Sequence, residues 1–191
     1  SYLSLEMNTS EVCDYLNLMN WSGVFAEQGH RWLHKWLIQN LADRVQLSFK
    51  HDHTIYSKHN FAWETSAGYL HRKGSTPADF GQYGVIPATM GDETRVVVGH
   101  GNALSYNSAS HGAGRTHSRG RALQEFGKDN TAQYLLDNYR VRLIGGGADE
   151  DPRAYKRIEQ DIQKQADCVD EIGAFSPKFV RMPDPRKKKK K

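Results

Sequence analysis

Between positions 20 and 41 apolar residues recur at three- and four-residue steps: Trp21, Val24 and Phe25, then Trp32, Leu33, Trp36, Leu37 and Leu41. That spacing predicts an amphipathic helix over 20–41, interrupted near Gly29, with its tryptophans in a core rather than on a base-stacking platform. The period falls to two over 45–49, where Val45, Leu47 and Phe49 alternate with polar residues and predict a strand. A second strand is expected at 95–98 and a third at 141–144. Leu123, Phe126, Tyr134, Leu135 and Leu136 suggest short helices and loops over 120–139, and 153–172 reads as a further helix. The elements predict an α+β fold, a mixed sheet with flanking helices, and no internal repeat is visible.

Composition narrows the class. The chain has 191 residues, 25% of them charged, and a mean hydropathy of −0.73. These values suit a globular domain with a real core. No apolar run approaches the ~20 residues that span a bilayer, so no membrane partner is expected. No signal-peptide pattern opens the chain, and two distant cysteines form no disulfide framework or zinc spacing, so a cytoplasmic location is expected. The net charge of +4 is misleading, because 186–191 alone carries six positive charges. That run is expected to be a disordered basic tail behind a domain over 1–185, able to add nonspecific RNA affinity.

Candidate chemistry is concentrated in small-residue segments. In 108–115, Ser-Ala-Ser-His-Gly-Ala-Gly-Arg, one imidazole, His111, lies among residues that let a bulky anion approach. The N–H groups after His111 could face phosphate oxygens, and Arg115 offers a fixed fork of donors. Alone, the run fits equally a Gly-rich turn with a surface histidine. His59 is expected near a strand end, in a place that suits a ligand or a hydrogen-bonded structural histidine. Arg72 and Lys73 precede Gly74, and a Gly- and Pro-containing loop follows at 81–91, so cations stand beside a nucleoside-sized cradle. The triple glycine 145–147 lacks the Lys-Ser/Thr of a phosphate loop and reads as a flexible turn. His30, His34, His51, His53, His100 and His117 read as ordinary polar histidines, with the His51/His53 pair short of further ligands.

Five ordered blocks together resemble the RtcB-type RNA ligases: His59-Asn60, Arg72-Lys73-Gly74, the 81–91 loop, 96–99, and 108–115 followed by Ser118-Arg119. Looser similarity extends to 14–17 with Trp21, Phe25 and Ala26, and to 152–156 and 165–167. The resemblance implies an RtcB-like fold, incomplete at the N-terminus. It also implies a GTP- and manganese-dependent ligase that joins RNA 3′-phosphate or 2′,3′-cyclic phosphate ends to 5′-hydroxyl ends, as in RNA repair or tRNA splicing. By motif match, His111 attacks the GTP α-phosphate and Arg115 assists. Gly112, Ala113 and Gly114 lie against the guanylate. Pro87, Ala88, Thr89, Met90 and Thr94 form the cradle, with Asn60, Lys73, Tyr155 and Arg181 also at the nucleotide, and His59 binds manganese.

This chemistry agrees with what the residue types can do. A neutral imidazole, with an ordinary pKa of about 6.5, is a competent nucleophile near neutrality. Cations and backbone donors stabilise the charge that develops on the phosphate, and manganese accepts imidazole and oxygen ligands. There are departures from the family pattern. Gly29-His30 stands where Asn-Arg is usual, Pro87-Ala88-Thr89-Met90 where Pro-Gly-Ser-Met is commoner, and Arg181 where a lysine reaches the guanine. Cys13 and Cys168 cannot be assigned to the family's metal centre, whose other ligands belong to an N-terminal half, a possible partner. The chain alone is therefore expected not to seal RNA. Two alternatives stand beside the ligase: a noncatalytic nucleotide- or RNA-binding remnant of the same fold, and a metal-dependent phosphoesterase using His111 and His59.

Overall fold

The structure is a computed structural model and describes residues 6–46, 48, 54–58 and 60–183. The chain forms two compact units, Ser1–Thr54 and Ile55–Lys191. His51, His53 and His59, Leu47 and Phe49 of the strand expected at 45–49, and the basic tail lie outside the described residues.

The first unit is dominated by one helix, α1 (Ser10–Val45). The Thr9 hydroxyl accepts from the Val12 N–H at its start, and Gln46 ends it in the left-handed conformation. The helix thus runs through Gly29 and takes in Val45, where a break and a strand are expected from sequence. A single helix-interior glycine costs only about 1 kcal/mol. The Glu27–Arg31 ion pair at 2.9 Å spans the glycine and links adjacent turns. The tryptophans depart from expectation too. Trp21, Trp32 and Trp36 are 67%, 63% and 52% exposed, and only Val12 of α1 is buried. They stack along their own helix, Trp21 on Phe25 and Trp32 on Trp36.

The second unit is α+β and consists of several small sheets. β1 (Phe61–Thr65) and β2 (Gly68–Arg72) form a hairpin in which Phe61 pairs with Arg72. β3 (Ser75–Pro77) pairs with β6 (Ser108–Ser110), Ser75 opposite Ser110. β4 (Tyr83–Ile86), β5 (Thr94–Gly99) and β8 (Val169–Phe175) make an antiparallel sheet in that spatial order. β7 (Arg142–Ile144) and β9 (Phe179–Arg181) are parallel. Among the described residues three α-helices complete the unit: α2 (Arg119–Phe126), α3 (Thr131–Tyr139) and α4 (Ile158–Gln163).

The helix expected over 153–172 is confined to α4, and its last residues belong to β8. Val169 and Ile172 fit a helical step as well as a strand, but pairing with β5 decides the outcome. A bulge after Val96 passes over Ile172 and leaves it exposed. The main core joins Ile86, Val97, Ala109, Ile158 and Val169, with Ala88 and Ala113 packed against it. Residues from the 81–91 loop and the 108–115 run therefore share one support. A second cluster gathers Met90, Leu135 and Val141 with Val180 and Met182. The turn expected at 145–147 is present, with Gly145 and Gly147 at φ +96° and +137°. No described helix is long and apolar enough to cross a membrane.

Candidate active site around His111

Register explains how distant segments meet. The β1–β2 pairing sets Asn60 beside Lys73 at the open end of the hairpin, where Lys73 Nζ lies 3.5 Å from Asn60 Oδ1. One residue on, Gly74 turns the chain at φ +76° into β3. Because Ser75 pairs with Ser110, His111 emerges opposite Gly74, and its N–H donates to the Gly74 carbonyl at 3.3 Å. A Cβ on Gly74 would meet His111 Cδ2 and Nε2 at 3.7 and 3.8 Å, so the imidazole lies along the bare glycine. The ring is exposed.

The following residues pack on the 81–91 loop. The Ala113 N–H donates to the Pro87 carbonyl at 3.2 Å, and a Cβ on Gly112 would lie 3.0 Å from the same oxygen. Asn60, Lys73, Pro87 and 111–114 are thus brought together across more than 50 residues of sequence. Not every N–H of the run is turned outward, since that of Gly114 donates to Asp161 Oδ2 at 3.4 Å. Lys156 completes this side: its N–H donates to the Gly114 carbonyl at 2.8 Å and its stem passes over Gly114.

Arg115 faces an acidic network. Nη1 donates to Glu150 Oε2 and to the Tyr155 hydroxyl, both at 2.8 Å, while Nε and Nη2 donate to the carbonyls of His117 and Asp149. Its guanidinium stacks over the Tyr155 ring at 4.8 Å. Burial, followed by the adjoining Glu150 carboxylate, pushes the Tyr155 hydroxyl up to about 12. Glu150 also holds Arg119 at 2.8 Å. The Asp149 carbonyl and the Glu150 carboxylate thus fasten the end of the His111 loop.

The remaining cradle positions are placed as follows. Thr89 Oγ1 donates to Asp92 Oδ2 at 2.5 Å and accepts from the N–H groups of Gly91 and Asp92, which closes the turn after Ala88. Met90 is buried in the second core cluster and fixes the loop from behind. Thr94 opens β5 opposite Phe175. Arg181 is exposed on β9 between Val180 and Met182, both packed on the Met90 cluster. A groove of about 650 Å³ lined by Arg119, Asn130, Leu143, Gly146, Glu150 and Pro183 shares Arg119, Asp149 and Glu150 with the network but none of 111–115.

Sequence reasoning gave no role to Asp161 or Glu150, and it quoted Lys156 and Gln165 only within segments of looser similarity. The contacts of Gln165, Asp161 and Glu150 with 110–115 span 35 to 55 residues, beyond any local pattern. His100 and His117 pair with Asp170 and Glu125. Among the described residues no group of three His, Cys, Asp or Glu side chains is arranged to hold a metal. The described residues therefore do not by themselves make a manganese site.

Comparisons with known proteins match the sequence to one family, and the chain belongs to it: the tRNA-splicing ligase RtcB family model matches residues 2–181. An Escherichia coli RNA-splicing ligase RtcB1 is 33% identical over 168 residues, covering 83% of this chain and 41% of that protein. An RtcB from another Escherichia coli strain is 32% identical with the same coverage. A tRNA-splicing ligase RtcB from Thermococcus kodakarensis is 25% identical over 190 residues, covering 84% of this chain and 39% of its own. The chain thus spans about two-fifths of the length of these relatives.

Proposed function

We propose that this chain supplies the nucleotide-binding part of a GTP-dependent RNA ligase that joins a 3′-phosphate or 2′,3′-cyclic phosphate end to a 5′-hydroxyl end. The observation that carries the reading is the exposed His111 ring lying along bare Gly74, next to Lys73 and the 112–114 run. On the Gly74 side no side chain stands between the ring and an approaching triphosphate. His111 Nε2 or Nδ1 attacks the α-phosphorus, a P–N bond forms, and the α–β bridging bond breaks to release pyrophosphate. The guanylyl group passes to the RNA 3′-phosphate, and the 5′-hydroxyl then displaces GMP as the phosphodiester forms.

Each step builds charge on phosphate oxygens. Lys73 and Lys156 are the exposed cations flanking the ring's support, and they stabilise that charge more than the ground state. Arg115 contributes by holding the loop end on Glu150, and Asn60, Pro87, Ala88, Thr89, Met90, Thr94, Tyr155 and Arg181 shape the nucleotide cradle. Manganese is the metal of the proposal, with His59 its ligand, and it would supply Lewis-acid charge at the phosphates.

One observation favours the noncatalytic alternative. The Asp161 carboxylate stands at the Gly114 N–H, where a bound phosphate oxygen would compete with it. Sealing of a 3′-phosphate RNA to a 5′-hydroxyl RNA with GTP and manganese separates the readings. Sealing is expected when the chain is supplied with the N-terminal part of a relative, and not by the chain alone. No sealing by the combined parts, with nucleotide binding retained, would favour the remnant.

A further inference from the structure

We infer that Gln165 is the positioning residue that holds His111 in line for attack, an inference that rests on the proposed role of His111. β6 is three residues long and pairs only with the equally short β3, so its ladder is a weak anchor for the residue that leaves its end. Gln165 supplies the missing restraint. Its Oε1 accepts the Ser110 N–H at 2.8 Å, and its Nε2 donates to Ser110 Oγ at 2.8 Å. Both ends of one amide therefore close on the residue bonded to His111.

Gln165 is itself immobilised. It is only 9% exposed, its N–H donates to the Ile162 carbonyl, and its carbonyl accepts from Cys168 and Val169. It sits where the chain leaves α4 and enters β8, and both elements contribute to the main core through Ile158 and Val169. A shift of Gln165 would disturb elements that contribute to the main core, so Ser110 is tied to that core. The Ser110 N–H fixes the amide's orientation, because only the oxygen can accept it. A buried amide with every polar end matched to one partner restricts that partner's backbone as well as satisfying its groups.

A carboxylate at 165 can accept from the Ser110 N–H and from a rotated Ser110 hydroxyl, so Gln165→Glu keeps both contacts. Gln165→Leu keeps the shape and loses both. The test measures Ser110 amide hydrogen exchange by NMR and the rate of His111 guanylylation against GTP concentration. In Gln165→Leu, Ser110 exchange is expected to speed tenfold or more. The saturating rate is expected to fall by roughly 10- to 100-fold, as a misplaced reacting atom requires, with the half-saturating GTP concentration unchanged within about twofold. Gln165→Glu is expected to restore both. Unchanged exchange, a parallel loss of GTP affinity, or failure of both variants alike would overturn the inference.

If Gln165→Leu does not fold, Ser110→Ala carries the test, since it removes the Oγ contact alone. A lower saturating rate at unchanged half-saturation supports positioning, and an unaltered rate overturns it. If His111 of the unaltered chain takes no guanylyl group even with the N-terminal part of a relative supplied, the proposed function fails, and Gln165 is then judged by carbethoxylation of His111 with diethyl pyrocarbonate. His100 and His117 serve as internal references. A change of threefold or more at His111 in Gln165→Leu but not in Gln165→Glu supports the inference, and equal reactivity overturns it.

Discussion

Gly112 lies against the backbone carbonyl of Pro87 so closely that a Cβ at 112 would stand 3.0 Å from that oxygen. The neighbouring Ala113 N–H donates to the same carbonyl at 3.2 Å. An alanine at 112 must push the two loops apart by a few tenths of an ångström, and overpacking of this kind costs about 1–3 kcal/mol. Gly112→Ala is expected to leave the unit folded and to reduce nucleotide binding at least tenfold, as measured by calorimetric titration with GTP. Unaltered affinity would mean that this contact does not shape the site.

Asp161 competes for the Gly114 N–H that a phosphate oxygen would use. Removal of one partly exposed charge is worth ~0.2–1 kcal/mol, so Asp161→Asn is expected to tighten GTP binding by roughly 1.5- to 5-fold. The gain should be greatest at low ionic strength, because screening weakens the repulsion that the substitution removes. Weaker binding in the variant would assign Asp161 to the nucleotide side of the site.

Asp151 joins the start of α3 to Arg153. Its carboxylate is fully buried and accepts two bonds from the Arg153 fork and one from Thr131. Burial pushes its pKa up, but the Arg153 and Thr131 hydrogen bonds outweigh it, and the net shift is downward from 3.8. A group depressed in the folded state contributes stability that is present above its unfolded value and lost as pH falls through its folded one. Asp151→Asn weakens charge-assisted hydrogen bonds while Arg153 keeps Asp129, and is expected to cost about 1–3 kcal/mol at neutral pH. The deficit relative to the unaltered chain should shrink below about pH 4, as thermal unfolding across a pH series would reveal. A deficit constant with pH would contradict the assignment.

How far the sequence carried differs from element to element. Val96, Val97 and Val98 announced β5 by residue type, and the 108–115 run announced the His111 loop because small residues beside one imidazole have few local explanations. The hairpin β1–β2 was not legible. Its turn residues Ser66 and Ala67 carry no strong turn signal, and Gly68 at φ +119° becomes informative only after pairing is known. The same limit applies to Arg115. A sequence shows an arginine after glycines and suggests a phosphate, whereas its Glu150 partner comes from a segment 35 residues away. The core location expected for Trp21, Trp32 and Trp36 followed from periodicity, which states that residues share a face and not what covers it.

Core anchoring of the cradle is tested at Leu135, which is fully buried in the cluster that holds Met90. Leu135→Ala is expected to destabilise the unit by ~2–5 kcal/mol. Through Met90 it should also loosen residues 87–91, raising their amide exchange above that of β8. Uniform loss of protection without a local excess at 87–91 would separate Met90 from the support of the cradle.

The central claim is tested most directly by mapping the covalent product of the chain with GTP and manganese, alone and with the N-terminal part of a relative, by peptide mass spectrometry. An acid-labile guanylyl group on His111, absent from His111→Ala, is the expected result. A guanylyl group on Lys73, Lys156 or any other lysine would contradict the account, as would an unlabelled His111 when both parts are present.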